Sequence, residues 1–280
     1  MIKIGLVGAG MFGADVHLRA YADLQLSGIS PQLGRIGLDR WARELAPIRF
    51  ELAAIATRTA ESAASAQAEF KRRTAHEPRI FWGDTPWVDL LESIRDLDVL
   101  AVATPDHLHT PVILAGLKAR AHILTEKPMC LSVREADNII ESARAAGRLV
   151  AVDMHKRFDP DHLRICHELK NAIGEPLYGV AYLEEPIELP LTRFKWAQHS
   201  DPFSYVGAHW VDLICHYFNS NPLSLTAVGQ KRRLLSEGID AYDAVQVRVD
   251  FANGLSMHFH NHWVTPADFE GPVNQGHELV

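Results

Sequence analysis

The sequence predicts an α/β chain in two parts, a doubly wound parallel sheet followed by an α/β domain whose sheet is mainly antiparallel. Three observations predict it. Through the first half, short apolar runs alternate with amphipathic segments, the pattern of successive βαβ units. Gly8-Ala9-Gly10-Met11-Phe12-Gly13 follows the first apolar run directly and opens a helix. After Pro160 the chain turns to longer β-like stretches, and Ala252-Asn253-Gly254 separates the last two.

The predicted strands of the first part are residues 2–7, 51–56, 99–103, 121–124 and 149–152, with helices between them. Thr85-Pro86 reads as an N-cap with proline at the first helical position, where a missing N–H costs nothing. Ser132-Val133-Arg134-Glu135 reads as a capping box, in which serine and glutamate satisfy each other's free backbone donors. Roughly 25 residues separate the first helix from Glu51, where such loops take about 2 to 6. The excess reads as an insertion with its own helix over 38–45. In the second part the predicted strands are 177–183, 223–232, 244–251 and 255–263. Asn253-Gly254 supplies the positive φ values of a tight turn, so the last two strands pair antiparallel. A parallel sheet followed by an antiparallel one places two domains at 1–150 and 151–280.

Composition narrows the function classes. With 280 residues, 47% of them hydrophobic, the chain can bury a substantial core. A net charge of -7 and a pI near 6.1 argue against a nucleic-acid partner, which needs clustered Lys and Arg. Lys71-Arg72-Arg73 and Lys231-Arg232-Arg233 are short enough to be solvated faces. No apolar run reaches the roughly 18 residues of a membrane span, and residues 1–7 are too short an apolar run for a signal peptide. Cys130, Cys166 and Cys215 are too dispersed for a CxxC motif, and their odd number does not suggest a disulfide framework, so a reducing, cytoplasmic setting is expected.

The glycine run carries the first chemistry. After a strand and before a helix, Gly8 permits a tight turn, Gly10 lets the backbone approach a pyrophosphate, and Gly13 permits close helix packing, while Met11 and Phe12 open the positive end of the helix dipole. The pattern in this context predicts a Rossmann-type dinucleotide site. The second strand ends Ala56-Thr57-Arg58-Thr59, with no carboxylate for the ribose hydroxyls of NAD. Thr57 and Arg58 can instead hydrogen-bond and neutralise a 2'-phosphate, which favours NADP. An Arg58 that stacks on adenine is compatible with either cofactor, and NAD stays possible.

Two further segments, Val102-Ala103-Thr104-Pro105-Asp106-His107-Leu108-His109 and Thr125-Glu126-Lys127-Pro128, resemble the glucose-fructose oxidoreductase, inositol dehydrogenase and MocA family (Gfo/Idh/MocA). The likeness extends through Lys156-Arg157-Phe158-Asp159-Pro160 and Gly207-Ala208-His209-Trp210-Val211-Asp212-Leu213, nearly the whole chain. The resemblance implies a Rossmann domain joined to a domain on a large open sheet, and a dehydrogenase or reductase of sugars, inositols or sugar nucleotides. It places Thr104, Pro105, His109, Glu126 and Lys127 at the cofactor, with Lys127 also beside the reacting hydroxyl. A cation there polarises a developing alkoxide or carbonyl. The resemblance makes His209 the acid/base on the reacting oxygen and places Arg157, Tyr205 and Asp212 at the substrate.

The sequence departs from the family where many dehydrogenases carry Asp four residues before that histidine and this chain has Tyr205. A phenol donates a hydrogen bond to a sugar hydroxyl but does not replace a carboxylate charge. Asp212, one turn after His209, either orients the imidazole, binds a hydroxyl or sits on the helix surface. His258, His260 and His262 alternate along one strand and so share a face. No neighbouring Cys or carboxylate completes a metal site, so that face reads as polar surface or a contact between copies of the chain, the homo-oligomer expected through the C-terminal sheet. Two rival readings are a non-catalytic NAD(P)-binding sensor and a glycosidase that retains NAD. The end of the chain, soon after the strand over 255–263 and with no closing helix, gives the expectation that the C-terminal domain is incomplete relative to a full family member.

Overall fold

Ile2-Lys3-Ile4-Gly5-Leu6-Val7 forms β1 (Ile2–Val7), buried at four consecutive positions because both faces of its sheet are covered. The computed structural model describes residues 1–169 and 174–280, which divide into two units, Met1–Asp153 and Met154–Val280. In the first unit β1 leads into α1 (Leu18–Ser27), α2 (Ser30–Arg35) and α3 (Asp39–Glu44). There follow β2 (Phe50–Thr57), α4 (Ala60–Thr74), β3 (Arg79–Trp82), α5 (Pro86–Ser93), β4 (Val99–Val102), α6 (His109–Lys118), β5 (His122–Thr125), α7 (Val133–Ala146) and β6 (Val150–Val152). The six strands are all parallel in the order β3-β2-β1-β4-β5-β6. The order reverses beside β1, at the doubly wound switch point.

Helices cover both faces, as parallel strands require. On one face Leu18 and Tyr21 of α1 and Phe70 of α4 pack on Ile4, Leu6, Leu52 and Ile55. On the other, Leu90, Ile113, Leu117 and Ile139 pack on Ala54, Leu100, Val102 and Ile123. Burying each large aliphatic side chain stabilises the fold by roughly 1.5–3 kcal/mol. The insertion after α1 holds the expected helix as α3 and a further one, α2, tied together by Ser30 Oγ donating to Ala42 O (2.7 Å). The expected capping box forms: Ser132 Oγ accepts from Glu135 N (3.2 Å), and Glu135 reaches one residue further back, to Leu131 N (3.1 Å). Thr85 does precede α5, but its side chain makes no cap hydrogen bond.

The second unit contains α8 (Pro160–Glu168), β7 (Tyr178–Pro186), α9 (Ala208–Phe218), β8 (Pro222–Gln230), β9 (Ala244–Phe251), β10 (Ser256–Thr265) and β11 (Asn274–Leu279). Its five-stranded sheet has the order β11-β7-β10-β9-β8. Three pairings are antiparallel and one, β7 with β10, is parallel. Period-two alternation turns Val247, Val249, Met257 and Phe259 toward α9, whose Trp210, Leu213, Ile214 and Tyr217 complete the core. The β9–β10 hairpin is antiparallel as expected, but only Gly254 has positive φ (90°). The loop is closed by Phe251 N–H to Leu255 O (2.8 Å), a three-residue turn with glycine in the left-handed position. β11, which the sequence reading did not anticipate, pairs with β7 and forms one edge of the sheet.

His258, His260 and His262 do share the face opposite α9, and His262 Nε2 lies 3.2 Å from Glu184 Oε1 on β7. That carboxylate is a neighbour across strands, which local spacing does not reveal. Among the described residues, no helix is long and apolar enough to cross a membrane.

His277 of β11 packs its ring against Trp210 (5.0 Å between centroids) and His162 of α8 (6.1 Å). Burial, and for His277 the neighbouring His162, holds both imidazoles below their ordinary value of 6.5. A depressed folded value means that the unfolded chain binds the proton more readily. The associated stability is therefore present above that ordinary value and lost as pH falls through the folded ones. The melting temperature is expected to drop between about pH 7 and pH 5, with a shallower drop in His277→Phe, which keeps the ring and removes the proton site. Equal slopes in parallel melts would assign the acid sensitivity elsewhere.

Candidate functional site

Gly8 lies where the sheet order reverses, and β1 is fastened to both neighbours there: Gly8 N–H donates to Ala56 O and Ala103 N–H to Val7 O, each 2.8 Å. Gly8 has φ 97°, and a Cβ on it would stand 2.2 Å from Ala103 O. Only glycine fits that turn. A Cβ on Gly13 would stand 2.4 Å from Gly8 O, so the loop and the helix after it close on each other. Gly10 differs: a Cβ there meets nothing within 4 Å. Packing within the protein does not require that glycine, whereas close approach by a pyrophosphate does. The helix starts at Met11, half exposed, and Ala14 N–H to Gly10 O (2.8 Å) is an early turn of its ladder. The N–H groups of Met11, Phe12 and Gly13 precede that bond and point to the loop side, an anion-binding arrangement. The residues present thus fit a dinucleotide.

At the end of β2, Thr57 is buried and its hydroxyl is engaged: it donates to Thr59 O (2.9 Å) and accepts from Ser62 Oγ (2.8 Å). These bonds bind it into the N-cap of α4, where Thr59 accepts from Ser62 N (3.2 Å). Arg58 is exposed, and among the described residues it has no ion-pair partner. Of the two residues expected at the adenosine end, Arg58 is the one presented to solvent.

The ends of β4 and β5 build the next part, joined by Glu126 N–H to Val102 O (2.9 Å). His109 is fully buried, with Nε2 2.8 Å from Thr104 O and Nδ1 2.7 Å from Pro128 O. It thereby ties the turn at Thr104-Pro105 to the turn at Lys127-Pro128. Glu126 and Lys127 are both buried, at 7% and 8% exposure, unusual for charged residues unless paired. Glu126 Oε1 lies 2.8 Å from His17 Nε2, and Glu126 Oε2 accepts from Lys127 N (3.3 Å). His17 Nδ1 lies 3.1 Å from Tyr21 Oη. Ligand atoms of His17, Glu126 and Asp153 fall within 4.8 Å of one another, the one such group among the described residues. His17, Tyr21 and Asp153 were missed by sequence reasoning. The helical spacing of His17 and Tyr21 was visible, but their partners lie more than a hundred positions away.

In the second unit a π-turn over Phe203–Gly207 delivers the chain into α9. A Cβ on Gly207 would meet Asn261 Oδ1 at 2.6 Å, so the helix start lies hard against β10. Trp210 Nε1–H donates to Tyr182 O (2.9 Å) and fixes the helix. His209, buried, meets the ring of His155 at 4.8 Å and 70°. Arg157 and Asp212 are brought together in a two-pronged ion pair, Arg157 Nε donating to Asp212 Oδ2 (2.7 Å). Asp212 beside Arg157 raises the guanidinium further above its ordinary value. Each is a main partner of the other. Tyr205 packs with Phe194, Trp196 and Trp263, ring centroids 5.0 to 6.0 Å away.

Residues 2–154 match the family model described as the Gfo/Idh/MocA oxidoreductase family, NAD-binding Rossmann fold, and residues 169–274 match the Gfo/Idh/MocA C-terminal domain. Inositol 2-dehydrogenase 4 of Saccharopolyspora erythraea is 29% identical over 179 residues, 63% of this chain and 43% of that protein. The 1,5-anhydro-D-fructose reductase of Ensifer adhaerens is 25% identical over 186 residues, 64% of this chain and 54% of its own. The chain thus spans about half the length of the curated relatives it matches. In fold, it resembles scyllo-inositol dehydrogenase from Lactobacillus casei, solved with bound NAD(H) and scyllo-inositol, at a TM-score of 0.75 and 17% identity, covering 100% of this chain and 74% of the other.

Proposed function

This chain belongs to the Gfo/Idh/MocA oxidoreductase family, and on that premise we propose that it transfers a hydride between a nicotinamide dinucleotide and a carbinol or carbonyl carbon of a sugar, inositol or sugar derivative. The observation that carries this reading is the buried Lys127, held on the turn after β5 at the carboxyl end of the parallel sheet, the end at which the glycine loop leaves β1. A bound nicotinamide dinucleotide supplies the hydride donor or acceptor at C4 of its ring. Lys127 polarises the substrate oxygen and stabilises negative charge as it develops there. His209 takes or gives the proton on that oxygen. The inositol and anhydrofructose activities named for the relatives point to the same substrate class. Incubating the protein with a panel of inositols, sugars and sugar acids, each with NAD+ and with NADP+, should yield reduced-nicotinamide absorbance with at least one polyol. A panel with no turnover despite dinucleotide binding would overturn hydride transfer. Tyr205 in the place of the family's Asp supports the second reading, a sensor that binds dinucleotide and ligand without turnover, which that outcome would favour.

The exposed Arg58, with no carboxylate at the end of β2, supports NADP as the preferred cofactor. Fluorescence titration with NADPH and NADH should give a preference for NADPH that falls about tenfold in Arg58→Ala, the loss of one charge-assisted phosphate contact. Equal affinities in the unmodified protein would reject it. The sheet face opposite α9, with Tyr178, Val180 and Val228 exposed, is the surface we assign to association between copies of the chain.

A further inference from the structure

Buried Tyr21, His17 and Glu126 cluster with the half-buried Asp153 beside the turn that carries Lys127, and Tyr21, His17 and Asp153 have no part in the function proposed so far. Its hydrogen bonds have a direction that follows from the donors available. A carboxylate only accepts, so the contact between His17 Nε2 and Glu126 Oε1 (2.8 Å) needs the proton on Nε2. The Tyr21 hydroxyl is buried, and among the described residues His17 Nδ1, 3.1 Å away, is its one hydrogen-bond partner. The phenol is satisfied as a donor only if Nδ1 offers a lone pair. Burial, with Asp153 and Glu126 nearby, raises the phenol's proton affinity and keeps it an O–H. The chain therefore runs from Tyr21 O–H to His17 Nδ1 and from His17 Nε2–H to Glu126 Oε1. The other carboxylate oxygen of Glu126 accepts the backbone N–H of Lys127 (3.3 Å).

We propose that Tyr21, His17 and Glu126 are positioning residues for Lys127, a directed hydrogen-bond chain that fixes the Lys127 main chain and locks it to the helix that follows the glycine loop. This inference rests on the reading that Lys127 acts on the substrate oxygen. His17 closes a π-helical stretch, Gly13–His17, and such bulges redirect side chains at functional sites. Here the bulge ends on the residue that reaches Glu126. The dinucleotide loop and the Lys127 turn, contributed by distant stretches of sequence, thus become one rigid piece. Orienting partners of this kind set the precision of the residue they hold. One ligand atom each from His17, Glu126 and Asp153 also lies within 4.8 Å of the others, close enough together to hold a divalent cation. A cation on Nε2 would displace the proton that holds Glu126, and one on Nδ1 would take the lone pair offered to Tyr21, so either excludes the hydrogen-bond chain.

The test uses the full chain labelled with 15N-histidine. Long-range proton–nitrogen correlation should show His17 as the neutral Nε2–H form, assigned by its disappearance in His17→Gln. Tyr21→Phe, which deletes one hydroxyl and keeps the ring, should turn that signal into a mixture of tautomers. The backbone amide resonance of Lys127 should move in His17→Ala and return toward its original position in His17→Gln, whose amide can donate to Glu126. With a substrate from the polyol panel, His17→Ala should lower kcat about tenfold, the lower end of the cost of losing an orienting partner, and His17→Gln should recover most of it. Dinucleotide affinity should change by less than about twofold, which separates positioning from general damage. An Nδ1–H tautomer, a Lys127 amide indifferent to His17, or Mn2+ or Zn2+ binding abolished by Glu126→Gln would each overturn the proposal. If the panel yields no substrate, the hydride-transfer reading fails by itself, and the two resonance measurements still decide whether the chain exists.

Discussion

Replacing Lys127 with alanine is expected to lower kcat on any responsive polyol by about 10²-fold or more, the usual cost of a general acid–base or charge-stabilising group. The size follows from where the side chain lies. At 8% exposure little water is available to stabilise charge on the substrate oxygen in its place. Lys127→Arg keeps the charge but not the compact ammonium, and should recover only part of the rate. Small primary amines added to Lys127→Ala should restore some turnover, because they supply the missing cation in the space left by the side chain. NADPH affinity in Lys127→Ala, followed by fluorescence, should fall far less than kcat. A variant within about threefold of the unmodified rate would remove Lys127 from the reaction.

Gly13→Ala is expected to damage cofactor binding and stability together. The added methyl would lie 2.4 Å from Gly8 O and 3.1 Å from Gly8 C, and these are main-chain atoms that cannot rotate aside. Overpacking of this kind costs about 1–3 kcal/mol. Charged to the binding loop alone, that range is roughly a 5- to 150-fold loss of dinucleotide affinity. Gly10→Ala is the informative contrast, since its methyl meets no protein atom. It should leave the melting temperature unchanged and weaken NADPH binding, and paired melts and titrations of the two variants separate loop shape from ligand approach. Unchanged NADPH affinity in Gly10→Ala would mean that the pyrophosphate does not approach this loop.

Much of the fold was legible because its signals are local. β1 and β9 have the bounds that their apolar patterns predict, and Ser132 and Glu135 declare the start of α7 within four residues. Gly8 and Gly13 were readable for the same reason, since their backbone demands are met by atoms a few residues away or on the next strand. β3 escaped because Arg79-Ile80-Phe81-Trp82 is a short edge strand with one neighbour, and β11 because Asn274-Gln275-Gly276-His277-Glu278-Leu279 has almost no apolar alternation. Partnership between distant residues was not readable at all. Arg157 and Asp212 looked like two separate ligands for substrate and turn out to hold each other across 55 positions. Glu126 looked like part of a cofactor motif, and its nearest partner is His17, 109 positions earlier.

The parallel pairing of β7 with β10 also sets the timing by which the second unit can form. Tyr178 is matched with Ser256, and its other neighbour, β11, comes later still. At about 5 to 20 residues per second of synthesis, β7 waits on the order of 4 to 16 s for its first partner. Throughout that wait Ala181 and Leu183 have no sheet to enter, and both backbone edges of the strand are open to pairing with another nascent chain. Such long-range closure is entropically slow in refolding as well. After dilution from denaturant, signals from Trp210 and Trp263 in the second unit should therefore recover later than those from Trp87 in the first, and the lag is the interval in which a chaperone has most to protect.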